Sequence, residues 1–144
     1  MLPGQEIPDD ILKDSVLAHI AAAYFSVGRR LERKTQCSAT RAFILSTLRA
    51  GAPLNQNQIA TRLGFDRTVV HRAIKSLAHE GLVSEHPAKS GRAILIQLTT
   101  RGKKYRDRLI AARLATDESV RRQMTPQERE TLIRLLKLVA ECEF

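Results

Sequence analysis

A short basic segment carries the side chains of this chain that are best suited to hydrogen-bond a polyanion. It runs from Asp66 to Glu80 and is closed by Gly81. At 3.6 residues per turn, one face is an apolar stripe formed by Val70, Ala73, Ile74 and Leu77. The opposite face is rich in hydrogen-bond donors and holds Arg67, Thr68, His71, Arg72 and Lys75. Such a face suits a helix that lies in the major groove of DNA.

The same residues allow a simpler interpretation, a solvated helix face, which is what most charge runs are. The distribution of charge favours DNA. The 144-residue chain has a net charge of +9, and residues 41–108 hold 13 basic and 4 acidic residues, so the whole excess lies there. A localised basic region is typical of a polyanion partner. An anionic membrane would require exposed aromatics, but aromatics are 4% of the chain and Trp is absent.

The composition fits one domain with a hydrophobic core, since 43% of residues are hydrophobic and 27% are charged. No apolar run approaches the roughly 18–20 residues of a membrane helix. The first ten residues lack the features of a signal peptide. We therefore expect a cytoplasmic protein associated with the nucleoid. Cys37 and Cys142 are too few for a disulfide framework or a four-cysteine zinc site.

Capping residues and apolar periodicity predict six helices and one hairpin. The first helix is expected to begin at Asp9 or Asp10 and to run to Arg33, a length of about 24 residues that is long for so small a domain. Part of its apolar stripe is therefore expected to pack against a second chain. The other helices are expected to begin at Ser38, Asn55, Asp66, Thr99 or Thr100, and Thr125. Two of these caps have a Gln or Glu three residues on, as in a capping box.

Two strand candidates, 82–87 and 93–98, follow the basic helix and enclose a short turn with two cations. The basic helix and the helix before it form a helix-turn-helix, and the hairpin is its wing. The predicted fold is mainly α with a small β-hairpin wing (α+β), in the order α-α-α-α-β-β-α-α. We expect residues 1–36 to form an arm and the first helix, 37–100 the winged lobe, and 101–144 the last two helices of one compact chain.

Together these elements resemble the MarR family of winged helix-turn-helix regulators over roughly residues 10–140. The resemblance rests on Leu54-Asn-Gln-Asn-Gln-Ile-Ala60, Leu63-Gly64, Val69-Val70-His71-Arg72, Leu77, Glu80-Gly-Leu-Val83 and Arg92-Ala-Ile-Leu-Ile-Gln-Leu-Thr-Thr-Arg-Gly102. The set with these spacings is specific, whereas each fragment alone is weak.

The resemblance implies an obligate homodimer held together by the first and the last two helices. It implies that the basic helix enters the major groove of a pseudo-palindromic operator. The wing tip, with Lys89, Ser90 and Arg92, should then reach the neighbouring minor groove. It also implies an effector pocket between the dimerisation helices and the DNA-binding lobe. One position departs from the family, because Ser90 stands where an Asp usually orients the wing arginine.

Four residues outside the basic helix are candidates for contacts with the DNA backbone. Asn55, Gln56 and Asn57 begin the helix before the turn, where free N–H groups can bind a phosphate, although plain capping also explains them. Arg41 is the fourth candidate. Within the basic helix, arginines are expected to read guanine edges and Lys75 to meet phosphate.

Residues outside the basic segment give weaker signals. Tyr24 and Phe25 are candidates for lining the effector pocket, although core or dimer packing is simpler. Cys37 is a candidate redox thiol with a lowered pKa, because Lys34 and Arg41 are near in sequence and a helix N-terminus follows. An inert small residue is the alternative. No metal site, cofactor site or catalytic motif is expected, since the histidines form no i, i+4 pair with each other or with a cysteine.

Three hypotheses follow for the function. The first is a homodimeric, sequence-specific regulator of transcription that binds double-stranded DNA, a repressor released by a small molecule or an oxidant. The alternative is a structural, nucleoid-type DNA-binding protein without an effector. A third is a winged fold used as a protein-interaction module, and the basic middle segment argues against it.

Overall fold

The chain folds into helices and short strands in a computed structural model that describes residues 12–48 and 52–143. In chain order the elements are α1 (Val16–Thr35), α2 (Ala39–Thr47), β1 (Leu54–Asn55), α3 (Gln56–Leu63), α4 (Arg67–His79), β2 (Val83–Pro87), β3 (Ile94–Leu98), α5 (Thr100–Arg121) and α6 (Pro126–Ala140). The predicted order of helices and hairpin strands is confirmed, with the two-residue strand β1 as an addition.

The predicted caps of α2 to α6 are confirmed, and they show why these helices begin where they do. Asn55 accepts a hydrogen bond from the backbone of Gln58, whose side chain binds the Asn55 backbone in return. Thr125 and Glu128 form the same box at the start of α6, with Pro126 in the first helical position. Each box satisfies N–H groups that a helix end otherwise leaves free.

The prediction that residues 12–15 belong to α1 is wrong. Residues 12–14 form a turn, and Ser15 caps a helix that begins at Val16, with its hydroxyl accepting from the Ala18 backbone at 3.2 Å. The helix therefore has 20 residues and ends at Thr35, where Gln36 turns with a positive φ of 56°. The predicted start at residue 9 or 10 lies outside the described residues.

The wing is part of a three-stranded antiparallel sheet in the order β1-β3-β2. The predicted hairpin is confirmed, with Val83 opposite Leu98 and Pro87 opposite Ile94. Strand β1 adds to the other side of β3, with Leu54 opposite Ile96. Strand β3 therefore lies in the centre of the sheet, and the connection between α2 and α3 is paired with the middle of β3.

The hydrophobic core lies in the winged lobe. Its buried side chains come from α2, β1, α3, α4 and both hairpin strands, with Cys37 and Leu109 at its margin. At the seam with α5, Gly102 lies directly against the backbone of Leu82, and a Cβ there would overlap the Leu82 carbonyl oxygen. Thr99 joins the same seam by donating a 2.6 Å hydrogen bond to the Gly81 carbonyl. The start of α5 is therefore locked to the end of α4.

The terminal helices leave most of their apolar side chains exposed. Neither α1 nor α6 contains a buried residue, and α1 packs mainly against α5. Exposed apolar side chains occur along all three helices, among them Leu17, Tyr24, Leu114, Leu135 and Leu138. No helix in the described part of the chain is both long enough and apolar enough to cross a bilayer.

Candidate nucleic-acid interface

Helix α4 is held in place by a turn at one end and a buried stripe along its side. Gly64 ends α3 with a φ of 65°, a left-handed conformation that glycine adopts without a steric penalty. Asp66 then caps α4 by accepting from the Thr68 backbone at 2.7 Å, and this hydrogen bond lowers the pKa of the Asp66 carboxyl. The predicted apolar stripe from Val70 to Leu77 is buried, as expected.

The opposite side of α4 faces solvent. All five side chains expected on this face are exposed: Arg67, Thr68, His71, Arg72 and Lys75. The face also connects to α3, because Gln56 Nε2 lies 2.9 Å from His71 Nδ1. Two of the candidate residues, from two helices, are therefore joined on one surface.

Lys75 differs from the other cations of this face because it already has a carboxylate partner. Its Nζ lies 3.2 Å from Glu85 Oε2 on β2. The pair joins α4 to the wing across ten residues of sequence. The sequence interpretation, which gave Lys75 to phosphate, missed Glu85. The one available signal was a single acidic residue in a strand that follows the basic helix.

The candidates for backbone contact are placed unequally. The Asn55 side chain is occupied by its cap, and Asn57 is exposed in the first turn of α3. Arg41 forms a 2.7 Å ion pair with Glu80 at the end of α4, and its side chain is only 19% exposed. This pairing, together with burial of its Nε atom, gives Arg41 a structural role between α2 and α4 and disfavours the predicted phosphate contact.

The wing tip is an exposed turn between β2 and β3. A hydrogen bond of 2.8 Å from the Ala88 backbone to the Ala93 carbonyl closes it. Lys89, Ser90 and Arg92 all project into solvent from this turn. Among the ion pairs of the described residues, none includes Lys89 or Arg92. The tip therefore presents two cations beside the face of α4.

A cavity of about 610 Å³ lies between the lobe and the terminal helices. Its walls come from α1, α2, α5 and α6, and most of its lining is apolar. Of the two aromatic candidates, Tyr24 contributes to the lining of this cavity and Phe25, the next residue of α1, does not. Among its few polar side chains is Arg113, whose guanidinium lies 5.0 Å from the centre of the Phe43 ring.

Cys37 lies beside this cavity and is 3% exposed. Burial raises the pKa of its thiol, and this outweighs a hydrogen bond with Tyr105 and the charge of Arg41, both of which lower it. The direction of this pKa shift is opposite to the one expected for a redox thiol and favours the inert alternative, because sequence proximity to Lys34 and Arg41 did not reveal the burial. Cys142, by contrast, is exposed near the end of the chain.

The described residues contain no group of three or more His, Cys, Asp or Glu side chains that could hold a metal ion. The structural features that remain are a capped basic helix, a second helix packed across it and a wing with a basic tip. Together they define a winged helix-turn-helix of the kind that binds DNA.

Solved structures with the same fold are transcriptional regulators. The regulator PcaV from Streptomyces coelicolor, in complex with its natural ligand, has a TM-score of 0.81 at 18% identity, covering 94% of this chain and 99% of that one. A mutant of MarR from E. coli complexed with operator DNA has a TM-score of 0.79 at 20% identity, covering 90% and 98%. The repressor CouR bound to a 23-mer DNA duplex has a TM-score of 0.82 at 22% identity, covering 94% and 99%.

These similarities confirm the MarR-type winged-helix fold that the sequence predicted. A sequence model for the family described as "Bacterial regulatory proteins, gntR family" matches residues 40–94. The matched segment begins in α2 and ends at the start of β3, so it covers the winged lobe and omits the terminal helices. A search of the curated proteins by sequence gave no match. Of the solved structures, PcaV is described as a transcriptional regulator and CouR as a transcriptional repressor, and the matching family is described as bacterial regulatory proteins.

Proposed function

We propose that this chain is a homodimeric transcriptional regulator of the MarR type that binds a pseudo-palindromic DNA duplex and acts as a ligand-released repressor. The observation that carries the proposal is the exposed basic face of α4, set between the start of α3 and a cationic wing tip. Because chromosomal DNA would be its partner, the proposal places the protein in the cytoplasm, at the nucleoid.

The polar side chains on this surface are suited to contact different parts of the DNA. Arg67 and Arg72 have no carboxylate partner among the described ion pairs, so their guanidinium groups are available to read guanine edges. Thr68, at the start of the helix, can contact a thymine methyl or a phosphate. The wing cations Lys89 and Arg92 are available to a minor groove. We assign Arg72 the largest share of base recognition, because it lies in the middle of the exposed face.

The exposed apolar sides of α1, α5 and α6 support a homodimer. Leaving apolar surface exposed to water costs about 25 cal/mol per Å². A second copy of the chain would cover it and would place two copies of α4 about one helical turn of DNA apart. Dimerisation through these helices also explains why α6 packs so little against its own chain.

The cavity supports a small-molecule effector. It lies between the helices proposed to form the dimer and the lobe proposed to bind DNA. Its volume falls in the range of small-molecule sites, about 300–1,000 Å³. A ligand that fits one spacing of the two lobes better than the other would shift the population away from the DNA-binding spacing. The raised pKa of Cys37 favours such a ligand over an oxidant.

The test is a comparison of DNA affinities. The purified protein is titrated onto the intergenic DNA upstream of its own gene and onto scrambled DNA of equal length, at about 150 mM salt. We expect the first duplex to bind about 10³-fold more tightly or better, the range typical of specific regulators. A ratio below about ten would instead favour the structural DNA-binding alternative.

Two arginine variants test whether α4 recognises bases. Arg72→Gln should lower affinity for the preferred duplex much more than for scrambled DNA, since a bidentate contact with guanine discriminates by about 1–3 kcal/mol. The matched control is Arg122→Gln, which removes the same charge at the exposed end of α5. Equal effects of the two variants on both duplexes would contradict base recognition by α4.

A further inference from the structure

Val69 is an exposed apolar side chain in the first turn of a helix whose solvent face is otherwise polar. It is 45% exposed. Within the described part of residues 37–100, Ile94 on β3 is the other large apolar side chain exposed to this degree. Most of the other large apolar side chains of this lobe pack into or against its core.

The position of Val69 on the helix places it beside the basic face. The buried stripe begins one residue later at Val70, so the Val69 side chain points away from the core. Residues three apart are neighbours on a helix surface, which makes Arg72 the neighbour of Val69 one turn on. The Asp66 cap fixes this first turn through its hydrogen bond to Thr68.

The chemistry of the surroundings narrows what Val69 can bind. Its neighbours on the surface are hydrogen-bond donors and cations, whose partners are phosphates and base edges. A β-branched residue at an exposed helix position gives less helix stability than alanine, so valine gains nothing here from local structure. In the major groove, the apolar feature that a base presents is the C5 methyl group of thymine.

We propose that Val69 is a specificity-determining residue that packs against a thymine methyl group in the major groove, next to the base contacted by Arg72. This assignment rests on the proposed function and adds one position to the sequence that α4 reads. The contact removes one methyl group and the valine methyls from water together. It therefore favours a T·A pair over the other three at that position, without a hydrogen bond.

The test replaces thymine by deoxyuridine, which keeps base pairing and lacks only the methyl group. The preferred duplex is first selected from a randomised pool with the unchanged protein. Each thymine in one half-site is then replaced in turn, and affinities of the unchanged protein and of Val69→Ala are measured at one salt concentration. At one position we expect the unchanged protein to lose about fourfold in affinity, the factor expected for one buried methyl group. Val69→Ala should lose little or nothing there.

The control is Ile94→Ala, which shortens the other exposed apolar side chain of the lobe and should keep the fourfold loss. Melting temperatures check that both variants fold. If the unchanged protein selects a duplex but its deoxyuridine profile equals that of Val69→Ala, the assignment is wrong and the proposed function stands. If no duplex is preferred over scrambled DNA, the proposed function and the assignment fail together.

Discussion

The winged lobe and the terminal helices treat their apolar side chains in opposite ways. In the lobe, Leu77, Ile74 and Ile59 are fully buried. In α1 and α6, no residue is buried, and Leu138 is 57% exposed. Both regions contain amphipathic helices, such as α4 in the lobe and α1 and α6 outside it. The apolar side of each helix is stabilised by burial. The lobe therefore buries its core within one chain, whereas the terminal helices leave an apolar surface that the proposed dimer would cover.

The contrast concerns two structural properties: the geometry of α4 and the wing within one lobe, and the distance between the two lobes of the proposed dimer. The geometry of α4 and the wing is set by contacts inside the lobe, such as the Lys75–Glu85 pair. The distance between two such lobes would be set by the terminal helices. The cavity is lined by residues of both regions, so the proposed effector would contact the lobe and the terminal helices together.

The largest expected effect comes from placing charge on the exposed side of α6. Leu135 and Leu138 are three residues apart, so they share one face, and neither lines the cavity. Replacing both by Glu should produce monomers in analytical ultracentrifugation. Affinity for the preferred duplex should fall about 10²–10⁴-fold, because the two lobes no longer bind as one unit. Lys137→Glu is the control for added charge. If the double variant remained a dimer with unchanged DNA affinity, the exposed side of α6 would not be the dimer interface.

A second test compares leucine truncations in the two regions. Leu77→Ala should lower the free energy of unfolding by about 2–5 kcal/mol at any protein concentration, because it leaves a cavity in a closed core. Leu138→Ala should act mainly through the dimer, so its effect should depend on protein concentration. Urea unfolding at two concentrations, tenfold or more apart, measures both. If the Leu77 variant were also concentration-dependent, the lobe would not be complete in one chain.

The two cysteines offer a third comparison. Alkylation at pH 8 should modify Cys142 roughly tenfold faster or more, because Cys37 is buried and its pKa is raised. The folded chain holds the Cys37 proton more firmly than the unfolded chain does. The resulting contribution to stability is therefore complete below the ordinary thiol pKa of 9.0 and is lost as pH rises through the higher folded value.

Mass spectrometry of the modified peptides gives the two rates, and Cys142→Ser isolates the slower one. Unfolding in urea should make the rates equal. Equal rates in the folded protein would show that the region around Cys37 opens readily to solvent, so that Cys37 would not belong to the closed core.

The smallest expected effect concerns Lys75. Because Glu85 already neutralises it, Lys75→Gln should leave the dependence of DNA affinity on salt concentration nearly unchanged. Glu85→Gln should free the lysine and steepen the slope of log affinity against log salt by about one phosphate contact. Titrations at four salt concentrations measure the slopes, with Arg72→Gln as the comparison. A slope reduced by about one in Lys75→Gln would restore the phosphate role predicted from the sequence.

Local signals predicted most of the fold. The caps at Ser38, Asn55 and Thr125 depend on side chains within three residues, so the sequence contains the whole interaction. The buried stripe of α4 follows from helical periodicity alone. Strand β1 was missed because two residues carry no alternation, and its partner β3 lies about 40 residues away.

The parts of the site that were missed depend on contacts between distant residues. Arg41 looked free until α2 and the end of α4 packed together and brought Glu80 to it. The chemistry of Cys37 was likewise decided by burial, which its charged neighbours in sequence do not report. Tyr24 and Phe25 are adjacent aromatics that the sequence does not distinguish, and only the packing of α1 around the cavity shows that Tyr24 lines it.

The central position of β3 also determines where the chain can change its length. The middle of β3 is paired on both sides, by β1 and by β2, whereas the turn at 88–93 is closed by a single hydrogen bond. A few residues added to that turn would add little loop-closure entropy and would disturb no core contact. The wing tip is thus the place where a fluorescent reporter can be inserted without altering the scaffold beneath it.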